Sequence, residues 1–222
     1  MHQPKVMPRS AKYGSNYWNT EGPKVDKREV TLYSDLEFDN WVTVDSDPNV
    51  ETYCEQYPEI TYVYDGVLHS SVFDMWIRYH DGSEIYREVK YEVELNENDP
   101  RNERTLRQIA AQRAYCIENN FTYEVLTEKI LRKNPQELEN RLKIISFIKN
   151  SSNQKAAEVV LNHINDKRRS LQTLSELTTL PYALIHDNCL WLYYHGAIHI
   201  NLDEKIICKQ SEVWLREQSE SH

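Results

Sequence analysis

What this 222-residue chain lacks narrows its class first. No apolar run approaches the eighteen or so residues that a membrane-spanning helix needs. The opening residues, MHQPKVMPRSAKYGSNYW, carry no apolar stretch of the signal-peptide kind, so the expectation is a soluble cytoplasmic protein. Cys54, Cys116, Cys189 and Cys208 lie far apart and form no CxxC pair, which fits reduced thiols better than disulfides or a zinc site. Internal repeats and long low-complexity tracts are also missing. What is present is a hydrophobic fraction of 40% with 15 Tyr, ample for a packed core. The length suits one large domain, or a medium domain with a small one.

The net charge of −9 argues against nucleic acid until its distribution is read. Residues 1–100 hold 9 Lys and Arg against 20 Asp and Glu, while residues 101–222 hold 17 against 15. The acidity therefore sits in the first half. Acid-rich sites suit divalent cations, and a bound cation inverts the local charge.

Residues 1–30 are polar, with Lys5, Arg9, Lys12, Lys24, Lys27 and Arg28 around Tyr13, Tyr17 and Trp18. They read as an arm for DNA or a partner, or equally as a disordered terminus. Ser34 with Glu37 three residues on opens a helix as a capping box. EITYVY and VLHSSVFDMWIRY, separated by Asp65-Gly66, and SEIYREVKYEV after Asp81-Gly82, then predict a three-strand meander. A helix over roughly 101–119 follows, with Leu106, Ile109 or Ala110, Ala114 and Ile117 as its apolar stripe, and then a strand at FTYEVL. KNSSNQ, near residue 150, reads as a boundary. Beyond it come three short helices, NQKAAEVVLNHI, SLQTLSELT and PYALIHDNCLWLYYHG, and a terminal hairpin or wing at AIHINLDEKIIC. The expectation is a catalytic domain over 31–149 and a winged-helix-like domain over 150–222.

One stretch of the meander, SSVFDMWIRYHDGSEIYREVKYEV, carries chemistry. Phe73, Met75, Ile77 and Tyr79 share one strand face, so Asp74 points to the other. Glu88 and Lys90 share a face on the next strand. Pairing across Asp81-Gly82 brings Asp74 near both. Two carboxylates there repel unless a cation lies between them. A hard cation such as Mg²⁺ takes oxygen ligands and acidifies a bound water. Lys90 would stabilise the charge that develops when a phosphodiester is hydrolysed. The plainer reading of Glu88 and Lys90 is an exposed ion pair, and that of Glu37 a capping acid.

Asp74 followed by Glu88-Val89-Lys90 resembles the D…(D/E)-x-K signature of restriction-endonuclease-like nucleases. With Glu37 and EQYPEITYVYDG upstream, the layout resembles TnsA, the endonuclease subunit of heteromeric transposases of the Tn-seven-like class. The likeness is good over about residues 30–130 and extends to the tail by architecture only; Phe73 stands where a Pro often precedes the Asp. The resemblance implies an α/β core of helix, three-strand meander, helix and strand. It implies a catalytic set of Glu37, Asp74, Glu88 and Lys90. It further implies Mg²⁺ (or Mn²⁺) held by Glu37, Asp74, Glu88 and the Val89 carbonyl. The activity implied is hydrolysis at the 5′ side of transposon ends in cut-and-paste transposition. The partners implied are double-stranded DNA, an integrase-type transposase and an AAA+ ATPase regulator. The alternatives are a stand-alone restriction or junction-resolving nuclease and a catalytically dead DNA- or protein-binding adaptor. The intact acid-acid-Lys set argues against the adaptor.

Lys12, and Arg101, Arg104 and Arg107 at one-turn spacing, are candidates for DNA phosphates, with a solvated helix face as the plain alternative. Lys167, Arg168, Arg169 and Trp191 are candidates for partner contact. His195 and His199 near Cys189 hint at a metal, but Gly196 and the β-like AIHIN leave their common face unassured.

Overall fold

The computed structural model describes residues 2–7, 16–150, 156–164 and 167–217. The chain divides into two compact units. The first runs to Asp45 and resumes from Asn49 to Lys133; the second takes Ser46–Pro48 and everything from Asn134. Lys12 lies outside the described residues. Among those that are described, no helix is long and apolar enough to cross a membrane.

The first unit begins with a hairpin where a loose arm is expected. Strand β1 (Trp18–Gly22) pairs antiparallel with β2 (Arg28–Leu32). Val25, Val30 and Leu32 anchor the hairpin in the core. Helix α1 (Asp35–Ser46) starts at Ser34, whose Oγ accepts the Glu37 amide at 3.1 Å, as the capping pattern predicts. The main sheet has four strands: β3 (Val50–Glu55), β6 (Met75–Tyr79), β7 (Glu84–Val89) and β8 (Thr122–Leu126), in that spatial order. Only the last pairing, β7 with β8, is parallel, and helix α2 (Glu103–Glu118) makes the crossover between them. A short helix, α3 (Glu128–Leu131), closes the unit.

The meander is more broken than the alternation suggests. The segment expected as one strand over 67–79 splits at Phe73-Asp74 into β5 (Val67–Val72) and β6. β5 pairs only with β4 (Glu59–Tyr64), and the two form a separate ribbon. Its turn, Asp65-Gly66, has φ of 48° and 76°, which a two-residue hairpin with native twist requires. β3, unassigned in the sequence reading, occupies the edge of the main sheet beside β6.

Helix α2 also turns differently from its apolar pattern. Ile109, Gln112 and Cys116 are buried, whereas Ala110 and Ala114 are exposed and Ile117 is 73% exposed. The helix rolls because Gln112 must reach a buried carboxylate on β7, described below.

The second unit starts with α4 (Pro135–Asn150), so the division falls at Asn134 rather than near residue 150. It continues with α5 (Ala157–Ile164), β9 (Arg169–Ser170), α6 (Leu171–Thr178), α7 (Tyr182–Tyr194), β10 (Ile198–Ile200) and β11 (Glu212–Leu215). Ile144 of α4 joins Val160, Ile164, Leu171, Leu174, Ile185 and Cys189 in one core. This shared core explains why α4 belongs here. The terminal hairpin closes differently from the expected one. β10 pairs with β11, and β9 lies on β11's other edge. The intervening loop is pinned by buried Asn140, which donates to the Leu202 and Lys205 carbonyls at 2.8 Å and accepts from Ile207 N at 2.9 Å.

Candidate active site

Register explains how the key residues meet. Met75 lies opposite Arg87 in the antiparallel β6–β7 ladder. Extending the ladder by one residue puts Asp74, at the break between β5 and β6, opposite Glu88. Asp74 Oδ2 accepts the Val89 amide at 2.8 Å, so its carboxylate rests against the end of β7. A cleft of about 390 Å³ has Asp74, Glu88 and Lys90 in its lining, with Gln56, Arg104, Arg107 and Gln108 among the others.

Glu88 is fully buried, and an uncompensated charge there would cost several kcal/mol. Three donors meet it. Lys90 Nζ lies 2.5 Å from Oε1, Gln108 Nε2 2.8 Å from Oε1, and Gln112 Nε2 2.9 Å from Oε2. Gln112 is itself fully buried; it also donates to Ser71 Oγ at 3.0 Å and accepts from the Tyr123 hydroxyl at 2.6 Å. Burial, followed by the nearby Asp74 charge, raises the Glu88 pKa to about 7 despite Lys90 and Gln112. Burial works against the Lys90 ammonium, but Glu88 and Asp74 outweigh it, so the Lys90 pKa rises and the side chain stays charged. The exposed-ion-pair reading of Glu88 and Lys90 fails on burial: the two side chains are 1% and 16% exposed.

Glu37 is placed differently. Its carboxylate is buried and accepts from Tyr33 N and Gln56 Nε2, each at 3.0 Å. It does not line the cleft, whereas Gln56 does. The Gln56 amide also donates to the Asp74 carbonyl at 2.9 Å. Gln56 thus links Glu37 to Asp74, and it adopts φ 48°, uncommon for a side-chain-bearing residue. Among the described residues, no three His, Cys, Asp or Glu side chains form a ready metal-binding group. The candidate ligands that do line the cleft together are carboxylate oxygens, those of Asp74 and Glu88. Asp74 Oδ1 has no partner among the described residues. An oxygen-only set in a polar cleft fits a hard cation rather than a soft one.

The remaining candidates scatter. Arg104 and Arg107 line the cleft, but Arg101 is outside it, exposed and paired with Asp99 at 2.6 Å. Lys167, Arg168, Arg169 and Trp191 lie in the second unit. There Arg168 covers the Trp214 ring at 4.0 Å, and Trp191 stacks on His195 at 4.0 Å. His199 stacks on Trp214, and burial pushes the Cys189 thiol up to about 12, so the hinted His–Cys metal site has no structural support. Gln108 and Gln112 were not read from the sequence as site residues. Their four-residue spacing on α2, which puts both on one face, was the signal available.

Residues 47–128, from the turn before β3 into α3, match the family model described as TnsA-like endonuclease N terminal. No curated protein matches the chain. The matched span contains Asp74, Glu88, Val89, Lys90, Gln108 and Gln112, and leaves Glu37 outside. Residues 47–128 are therefore similar to a TnsA-like endonuclease N-terminal domain, and the mixed α/β architecture is consistent with a restriction-endonuclease-like core.

Proposed function

We propose that this chain is the DNA-cleaving subunit of a heteromeric transposase, hydrolysing the phosphodiester at the 5′ side of transposon ends. The observation that carries this reading is the convergence of Asp74, buried Glu88 and charged Lys90 in one cleft, with Arg104 and Arg107 beside them. Asp74, Glu88 and the Val89 carbonyl are the groups that would hold Mg²⁺ or Mn²⁺. When bound, the cation supplies an acidified water and neutralises phosphate charge.

The chain's own residues do the rest. Lys90, kept protonated by its two carboxylate neighbours, presents a fixed positive charge to the oxygen that gains charge in the transition state. Arg104 and Arg107 hold the flanking backbone by its phosphates. Gln108 and Gln112 fix the rotamer of Glu88. Glu37 acts through Gln56, holding the backbone that carries Asp74.

An acidic catalytic half is a poor basis for tight independent DNA binding, whose strength comes largely from phosphate neutralisation. In this reading an integrase-type transposase and an AAA+ ATPase regulator deliver the DNA, and the winged-helix-like second unit, with Lys167, Arg168, Arg169 and Trp191, is the docking surface. The test is cleavage of end-labelled transposon-end duplex with Mg²⁺, with chelator and with Ca²⁺, by the chain alone and with its transposase. Cutting that needs Mg²⁺ or Mn²⁺ and rises with the transposase is the expected result. Undiminished cutting in excess chelator refutes it.

A further inference from the structure

A second groove of the first unit borders the catalytic cleft, sharing Tyr62 and Arg107 with its lining. It encloses about 820 Å³ between residues 60–64 of β4 and the outward face of α2. Three features define what could fill it.

The first is a free backbone edge. Among the described residues β4 pairs only with β5, and Tyr64 lies opposite Val67 across the two-residue turn. In a hairpin of that kind Tyr64, Tyr62 and Ile60 exchange hydrogen bonds with β5. The amides and carbonyls of Thr61 and Val63 then point outward. The second feature is the opposite wall, where Leu106, Ala110 and Ala114 line the groove and the two alanines leave room for side chains. The third is charge. Glu97, Glu103 and Glu118 stand exposed in the lining, Asp99 is already paired with Arg101, and among the described residues Arg107 is the one basic lining residue. Such a rim repels a phosphate backbone.

We propose that this groove is a docking site for an extended segment of a partner protein. The segment adds to β4 as a third strand, sets alternate apolar side chains over Ala110 and Ala114, and turns Lys or Arg toward the glutamates. Backbone pairing supplies affinity, and the alternating pockets and charges supply selectivity. The ribbon also presents His69 and Ser71 to the catalytic cleft, and Tyr62 lines both cavities, so a seated segment also stiffens one cleft wall. The docking itself does not depend on how the nuclease reading fares.

The probe is a fluorescein-labelled nine-residue peptide of alternating valine and lysine, titrated onto the full-length chain by anisotropy. Comparison peptides carry glutamate in place of lysine, or N-methyl groups on alternate backbone amides. The expected result is saturable binding of the lysine peptide, with slowed hydrogen exchange at the Thr61 and Val63 amides. N-methylation, Ala110→Arg and Glu103→Lys should each weaken binding at least tenfold. Ala110 and Glu103 are exposed, so both variants are expected to melt as the wild type does. The proposal is overturned if the glutamate peptide binds equally well, or if the variants leave binding unchanged. It is likewise overturned if Ala110→Arg instead alters duplex-DNA binding, or dissolves a self-association seen by sedimentation.

Discussion

Glu88 is the residue on which the site's electrostatics turn. Its pKa, raised to about 7 by burial and then by Asp74, has a defined consequence for stability. A raised carboxylate pKa stabilises the fold fully below the ordinary value and loses that contribution as pH climbs through the folded one. In the metal-free protein, stability should therefore fall between about pH 5 and pH 8, by on the order of 3 kcal/mol at roughly 1.4 kcal/mol per pKa unit. Mg²⁺ should offset the fall at pH 8 and do little at pH 5. Melting curves across that range check this, and Glu88→Gln should flatten the profile. Asp74→Asn and Lys90→Ala address the chemistry. Each should lower cleavage by at least about 10²-fold, the usual cost of removing a transition-state contact, with circular dichroism unchanged. Arg101→Ala should leave cleavage near wild type, because its guanidinium is spent on Asp99 outside the cleft.

At the scale of elements, helix α2 and strand β8 brace the site through Gln112. Its amide links Glu88, Ser71 and the Tyr123 hydroxyl, all at 2.6–3.0 Å. Gln112→Met keeps the volume and removes every one of these bonds. The expected cost is about 1–3 kcal/mol per buried group left unpaired. Tyr123→Phe should cost less, because it breaks one bond. The double variant should lose less than the sum of the two, since both act on one network. Chemical denaturation of the four proteins measures the coupling; strict additivity would mean that the network does not act as a unit. This roll of α2 was invisible to an apolar-stripe reading, because the buried position is a glutamine and exposed Ile117 imitates a core residue.

For the whole molecule, the division at Asn134 makes a prediction about truncation. Residues 1–133 should melt cooperatively as a nuclease unit. Residues 1–149 retain α4 without the elements that bury Ile144, Phe147 and Ile148, and should expose that face and aggregate. Light scattering on the two fragments distinguishes them. Better behaviour of the longer fragment would show that α4 belongs with the nuclease unit.

The sequence alone determined the parts that rest on local rules. Strand alternation, the Asp65-Gly66 and Asp81-Gly82 turns and the Ser34 cap act over a few residues, and they sufficed to set Asp74 beside Glu88 and Lys90. Tertiary structure decided what depends on distant partners. β3 carries Glu51 and Glu55 within a short run and becomes a strand through pairing with β6. The hairpin of β1 and β2 is fixed by burying Val30 and Leu32, which its polar surroundings disguise. The break at Phe73-Asp74 splits the ribbon from the sheet because Asp74 leaves the ladder to accept the Val89 amide. Glu37 faces Gln56 rather than the cleft because buried carboxylates take the nearest donors, and those donors come from the chain folded around it.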